Sequence, residues 1–149
     1  MMEITILAVM LVAATALGLA LRAREGAVRG TDKVAEVVSA RTELLAGAGV
    51  TGSVPAVLHF SADWCGPCDA VRRVVAGVTE ELSETSLPPR DIEIDIDAEP
   101  TLARELNVLS LPTTFVFDAQ GRERFRISGV PKAGDLRTAL APLTVADPA

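Results

Sequence analysis

Both cysteines of the chain lie in one short stretch, "HFSADWCGPCDAVRR" (His59–Arg73), at Cys65 and Cys68. Two thiols at that spacing can form a redox pair, half of a metal site, or a structural staple. A staple is a poor use, because closing so short a loop restrains the unfolded chain very little. A zinc site usually takes four ligands. The only histidine is His59 and no third cysteine exists, so one chain would have to add carboxylates. A redox pair asks for less: one thiol with a lowered pKa to attack, and a second within reach to resolve the mixed disulfide.

The flanking elements favour that chemistry. "PAVLHFS" (55–61) is an apolar run of strand length, expected to be a buried central strand. After the cysteines, Val71, Val74, Val75, Val78 and Leu82 recur at helical spacing, so a helix is expected to begin around Pro67 and Cys68. Proline is tolerated in that first turn because its missing N–H costs nothing there. Cys65 is thus placed at a helix N-terminus, where free N–H groups and the helix dipole favour a thiolate. Cys65 is the expected nucleophile and Cys68 the resolving thiol.

The rest of the chain reads as one α/β unit. "ARTELLAGAG" looks helical and stops at Gly47 and Gly49. "DIEIDID" alternates Ile92, Ile94 and Ile96 with acids, a strand with one apolar face. A short helix from Pro100, a strand at "TTFVFD", a turn at 118–121, a strand at "ERFRIS" and a helix at "KAGDLRTALAPL" follow. Arg122, Arg124 and Arg126 alternate along one of these strands and suit a charged edge that deters strand pairing. The expected architecture is a central mixed β-sheet flanked by helices.

Upstream, 4–21 ("ITILAVMLVAATALGLAL") carries no charge and no proline. As a helix it would reach about 27 Å, close to the roughly 30 Å core of a bilayer. A cleaved signal peptide would want a basic start, where this chain has "MME", and a buried core helix would want a polar face. A retained transmembrane anchor is the favoured reading. Arg22, Arg24, Arg29 and Lys33 all follow the apolar run, which places the large C-terminal part in the cytoplasm. The expected organisation is an anchor at 4–21, a juxtamembrane linker at 22–32, a domain at 33–143 and a tail at 144–149. The net charge of −6, with mixed signs, gives no basic face for nucleic acid.

"WCGPC" (Trp64–Cys68) and "LPTTFVFDAQGR" (Leu111–Arg122) together resemble the thioredoxin family over about 33–143. The resemblance implies a thioredoxin-like fold in which "KVAEVVSA" is a first strand running into the first helix. It implies that Pro112 is a cis-proline facing the two sulfurs, and that the Leu111 backbone pairs with a bound peptide strand. Gly129 would lie in a third loop of the substrate groove. Trp64, Gly66 and Pro67 would meet the substrate beside Cys65. Four positions depart from the family. His59 stands where a buried aspartate is usual, and could exchange a proton with Cys68. Glu93 replaces a frequent lysine, Arg73 a helix-kinking proline, and Asp69 a common lysine.

The function expected is a membrane-anchored thiol–disulfide oxidoreductase that reduces protein disulfides, with no bound cofactor and no metal. Its expected partners are disulfide-containing proteins and an electron-donating reductase. Two other readings are an extracytoplasmic exchange protein for maturing secreted proteins, and a tethered adaptor or metal carrier of the same fold.

Overall fold

The structure is a computed structural model that describes residues 32–146 and, upstream, Met10, Ala13, Thr15 and Ala16, all four helical. The expected anchor at 4–21 and linker at 22–32 fall almost wholly outside the described residues. Among the described residues, no helix is long and apolar enough to cross a membrane.

The elements run α1 (Asp32–Gly47), β1 (Ala56–Ser61), α2 (Cys68–Glu81), β2 (Arg90–Asp95), α3 (Pro100–Glu105), β3 (Thr113–Phe117), β4 (Glu123–Ser128) and α4 (Ala133–Leu140), closed by a 3₁₀ turn at Ala141–Leu143. The sheet order is β2-β1-β3-β4. β1 pairs with β2 in parallel and with β3 antiparallel, and β3 pairs antiparallel with β4. The sheet is therefore mixed and flanked by helices, as expected.

One expectation fails. "KVAEVVSA" is not a strand; it lies within the continuous helix α1. Its valines favour strands, but the segment from Asp32 holds no proline or glycine before Gly47 and is rich in alanine, glutamate and leucine. Thr42 Oγ1 also donates to the Val38 carbonyl one turn back, at 2.8 Å. The helix stops as the glycines suggest. Gly49 has φ +99°, Val50 N–H reaches Leu45 O, and Gly49 N–H reaches Ala46 O, a Schellman closure. Without a strand from this segment, β2 is an edge of the sheet among the described residues, as β4 is at the other side.

Alternation along the strands divides the core in two. Leu58 and Phe60 of β1 join Ile92, Ile94, Phe115 and Phe117 under Leu45, Leu102 and Leu106. Val57 and Val116 face the other way, onto Val71, Val75 and Val78 of α2 and onto Leu136 and Leu140 of α4. Each of these buried side chains contributes about 1.5–3 kcal/mol of apolar burial. β1 is buried on both faces, which is why its sequence is mostly apolar, with His59 and Ser61 as the polar exceptions. The C-terminal end of β1 leads through a short hydrogen-bonded turn to the N-terminus of α2. That junction carries the two cysteines.

Candidate active site

Cys65 and Cys68 are joined as a disulfide, with S–S 2.03 Å and Cα–Cα 5.5 Å. After β1 the chain turns through 62–64, and Cys65 N–H is held by Ala62 O at 3.0 Å. Cys68 N–H then bonds Cys65 O at 3.1 Å, and α2 begins at Cys68 with Pro67 as its N-cap. The pair thus sits at the positive end of a helix, as the sequence indicates. The helix runs unbroken through Arg73. Cys68 is buried (1% exposed) and Cys65 is the more open of the two (8%), an order that suits resolving and attacking roles. Cys68 Sγ lies 3.8 Å from the carbonyl oxygen of Phe60.

The second loop comes up against this pair. The Leu111–Pro112 peptide bond is cis, and Leu111 packs with Cys65, Cys68 and Ala62. Pro112 is buried and passes directly into β3. The third loop is tied to the second: Gly129, at φ +85°, donates its N–H to Pro112 O at 2.8 Å. Trp64 is 70% exposed, with its indole N–H held by Asp97 at 3.0 Å. Gly66 and Pro67 are exposed between the cysteines. The disulfide itself is largely buried, while Trp64, next to Cys65, Leu109, two residues before Leu111, and Val130, next to Gly129, are exposed apolar side chains of the three loops.

Beneath the pair, between α2 and the sheet, lies a polar cluster. Strand alternation puts His59 and Ser61 of β1 on the α2 face, with Asp91, Glu93 and Asp95 of β2 beside them. His59 pairs with Glu93 in backbone register, but its Nε2 lies 3.1 Å from Asp91 Oδ1, one step back along the strand. Ser61 makes the same backward reach, donating to Glu93 at 2.6 Å. Arg72, one turn into α2, bonds Glu93 at 2.7 Å and also pairs with Asp69. So the cation lost by having glutamate at position 93 is restored from the helix, and the charge of Asp69 is matched. Burial pushes the Glu93 carboxyl up. The hydrogen bonds from Ser61 and Arg72 and the charge of Arg72 outweigh this and hold it below the usual glutamate value.

His59 is 1% exposed, and its Nδ1 has no hydrogen-bond partner among the described residues. Such a buried, unmet polar atom costs about 1–3 kcal/mol. Asp91 and Thr114 are neighbours of His59 that the sequence does not single out. The alternation of "DIEIDID" does put Asp91 opposite Ile92, but its reach to His59 depends on strand register, which periodicity does not contain. The three alternating arginines form no free basic patch: Arg122 and Arg124 bond Asp118, while Arg126 pairs with Glu123 and stacks 4.5 Å over Phe115. Among the described residues no group of His, Cys, Asp or Glu could hold a metal ion.

The comparisons with known proteins agree with this geometry. The family model described as Thioredoxin matches residues 48–142. A thioredoxin from Pyropia yezoensis is 37% identical over 84 residues, spanning 56% of this chain and 76% of its own length. A bifunctional thioredoxin reductase/thioredoxin from Mycobacterium leprae is 36% identical over 90 residues, 59% of this chain and 19% of that protein. Among solved structures, a mutant thioredoxin from Halobacterium salinarum superposes with a TM-score of 0.55 at 29% identity. That match covers 68% of this chain and 85% of the other.

Proposed function

Since the chain belongs to the thioredoxin family, we propose that it is a membrane-anchored reductase of protein disulfides, with its domain on the cytoplasmic side. The observation that carries the reading is the Cys65–Cys68 disulfide at the start of α2, packed against Leu111 beside Pro112.

In the reduced protein, the Cys65 thiolate attacks one sulfur of a substrate disulfide. A Cys65–substrate S–S bond forms, and the other substrate sulfur leaves as a thiolate. Cys68, deprotonated, then attacks Cys65 Sγ. The mixed S–S bond breaks, the second substrate thiolate leaves, and the Cys65–Cys68 bond forms. Two electrons pass from the dithiol to the substrate, and a reductase returns two electrons with two protons. The helix N-terminus stabilises the attacking thiolate. His59 takes the proton of Cys68 from the α2 side of the sheet. Leu111 offers backbone to an extended substrate segment, while Trp64, Gly66, Pro67 and Gly129 border the groove that receives it.

A thioredoxin reductase is the proposed electron source. The fusion of both activities in the Mycobacterium leprae relative supports that pairing. The uncharged run at 4–21 and the basic residues after it support the anchor and its orientation. The test is reduction of insulin disulfides with a reductase supplying electrons. Turnover is expected from the wild-type chain and none from Cys65→Ser. Equal turnover in both would overturn the reading, and turnover by neither would favour an adaptor.

A further inference from the structure

His59 is the one histidine of the chain, and both of its ring nitrogens are constrained. On one side, Nε2 faces Asp91 Oδ1 at 3.1 Å. An ionised carboxylate only accepts hydrogen bonds, so that contact requires the proton to sit on Nε2. Neutral imidazole carries one N–H, and Nδ1 is then a bare lone pair. That lone pair is buried and unbonded among the described residues. The other unbonded buried polar atom there is Thr114 Oγ1, and Thr114 is the direct register partner of His59 on β3. The unmet polarity is therefore concentrated at one spot on the sheet.

That spot lies under the active-site end of α2. Val57, two residues before His59 on the same face, packs against Val71, Val75 and Val78 of the helix. Ser61, two residues after it, is linked through Glu93 to Arg72 in the second turn. Cys68 Sγ approaches the carbonyl of Phe60, the residue between His59 and Ser61. The charged groups facing this spot are Asp91, Glu93 and Asp95 from β2 and Asp69 and Arg72 from α2. Glu93 is occupied by Ser61 and Arg72, and Asp95 accepts the Asp97 backbone N–H. Asp91 alone of the three β2 carboxylates bonds the imidazole.

We propose that Asp91 is a positioning residue for disulfide exchange: by accepting the Nε2 proton of His59, it holds the imidazole in the tautomer whose buried Nδ1 can take the proton of Cys68. The inference rests on the reading of His59 as that proton acceptor. In the resolving step the Cys68 S–H bond breaks and its proton goes to Nδ1. The sulfur's electron pair forms the bond to Cys65, and the electrons of the mixed disulfide leave with the substrate thiolate. The imidazolium that results is stabilised by the Asp91 carboxylate on its far side, and its proton passes on to the departing thiolate or to solvent.

A single histidine makes the test direct. Nitrogen-15 histidine labelling of the full chain in detergent gives one imidazole signal, and its two-bond couplings report the tautomer. The wild type is expected to show the Nε2–H form. Asp91→Asn is expected to shift it toward Nδ1–H and to slow the resolving step at least about tenfold, a smaller loss than the roughly 10²–10⁴-fold that a general base itself supplies. That step is read by Trp64 fluorescence in single turnovers with insulin. Asp91→Glu, which keeps a carboxylate, should restore much of the rate, and Asp91→Asn should add nothing in a His59→Gln background. An Nδ1–H tautomer in the wild type overturns the proposal without any variant. So does an unchanged tautomer and rate in Asp91→Asn when His59→Gln is slow, which leaves His59 as the acceptor. A His59→Gln chain with an unaltered resolving step removes the acceptor reading itself, and the role of Asp91 with it.

Discussion

Gly129 donates its backbone N–H to the carbonyl oxygen of Pro112 at 2.8 Å, locking the loop after β4 onto the loop beside the disulfide. The bond requires Gly129 at φ +85°, where other residues are strained. A Cβ there would meet nothing within 4 Å, so the penalty for a side chain is conformational and not steric. Gly129→Ala is expected to cost about 1–2 kcal/mol in urea denaturation. It should also raise KM for a protein disulfide more than it changes attack on a small disulfide. Unchanged KM would remove Gly129 from the groove.

Cys68→Ser keeps the attacking sulfur and removes the resolving one. A stable mixed disulfide through Cys65 is expected when this variant meets insulin, visible by intact-mass spectrometry and reversed by dithiothreitol. Cys65→Ser should give no adduct, because Cys68 is buried. An adduct through Cys68 would exchange the two roles.

Ser61 and Arg72 together hold the Glu93 carboxyl below the usual glutamate value against its partial burial. Removing the guanidinium in Arg72→Met leaves burial, which acts upward, with Ser61 as the remaining donor. The Glu93 pKa is expected to rise, as followed by carboxyl chemical shifts across pH. A pKa that stays put would mean the Ser61 bond carries the effect alone.

Asp118 anchors the β3–β4 turn. Its side chain is 4% exposed and accepts from the backbone N–H groups of Gln120 and Arg122 and from both the Arg122 and Arg124 guanidinium groups. Burial pushes its carboxyl up, but these donors outweigh it and hold the pKa below the ordinary 3.8. A group depressed in the folded state stabilises above its unfolded pKa, and that stability is lost as pH falls toward the folded one. Asp118→Asn is expected to cost about 1–3 kcal/mol at pH 7. The gap from wild type should close as pH drops below about 4. A gap that is constant with pH would show that the carboxylate's charge is not what matters.

The anchor is tested by a cysteine placed at 22–32 in a chain lacking Cys65 and Cys68. An impermeant thiol reagent should label it only after the cytoplasmic side is opened. Labelling from outside would move the domain across the membrane, and release of the chain by carbonate washing would remove the anchor.

The redox pair and its helix were legible from residues alone. "WCGPC", the mostly apolar run before it and the valine stripe after it are local patterns, and local backbone geometry places Cys68 at the first residue of α2. The single apolar face of "DIEIDID" was legible for the same reason, since side-chain alternation is a property of any strand. A short valine-rich run such as "KVAEVVSA" is ambiguous by periodicity, and the helix-forming residues that follow it carry it into α1. The polar cluster under the disulfide belongs to the tertiary structure. His59 and Asp91 are 32 positions apart, and only the parallel register of β1 and β2 makes them neighbours. The same register, with α2 laid across it, brings Arg72 to Glu93 and returns the cation that position 93 itself lacks. A sequence records which groups exist and how they repeat; which carboxylate meets which base is decided by packing between segments that are distant along the chain.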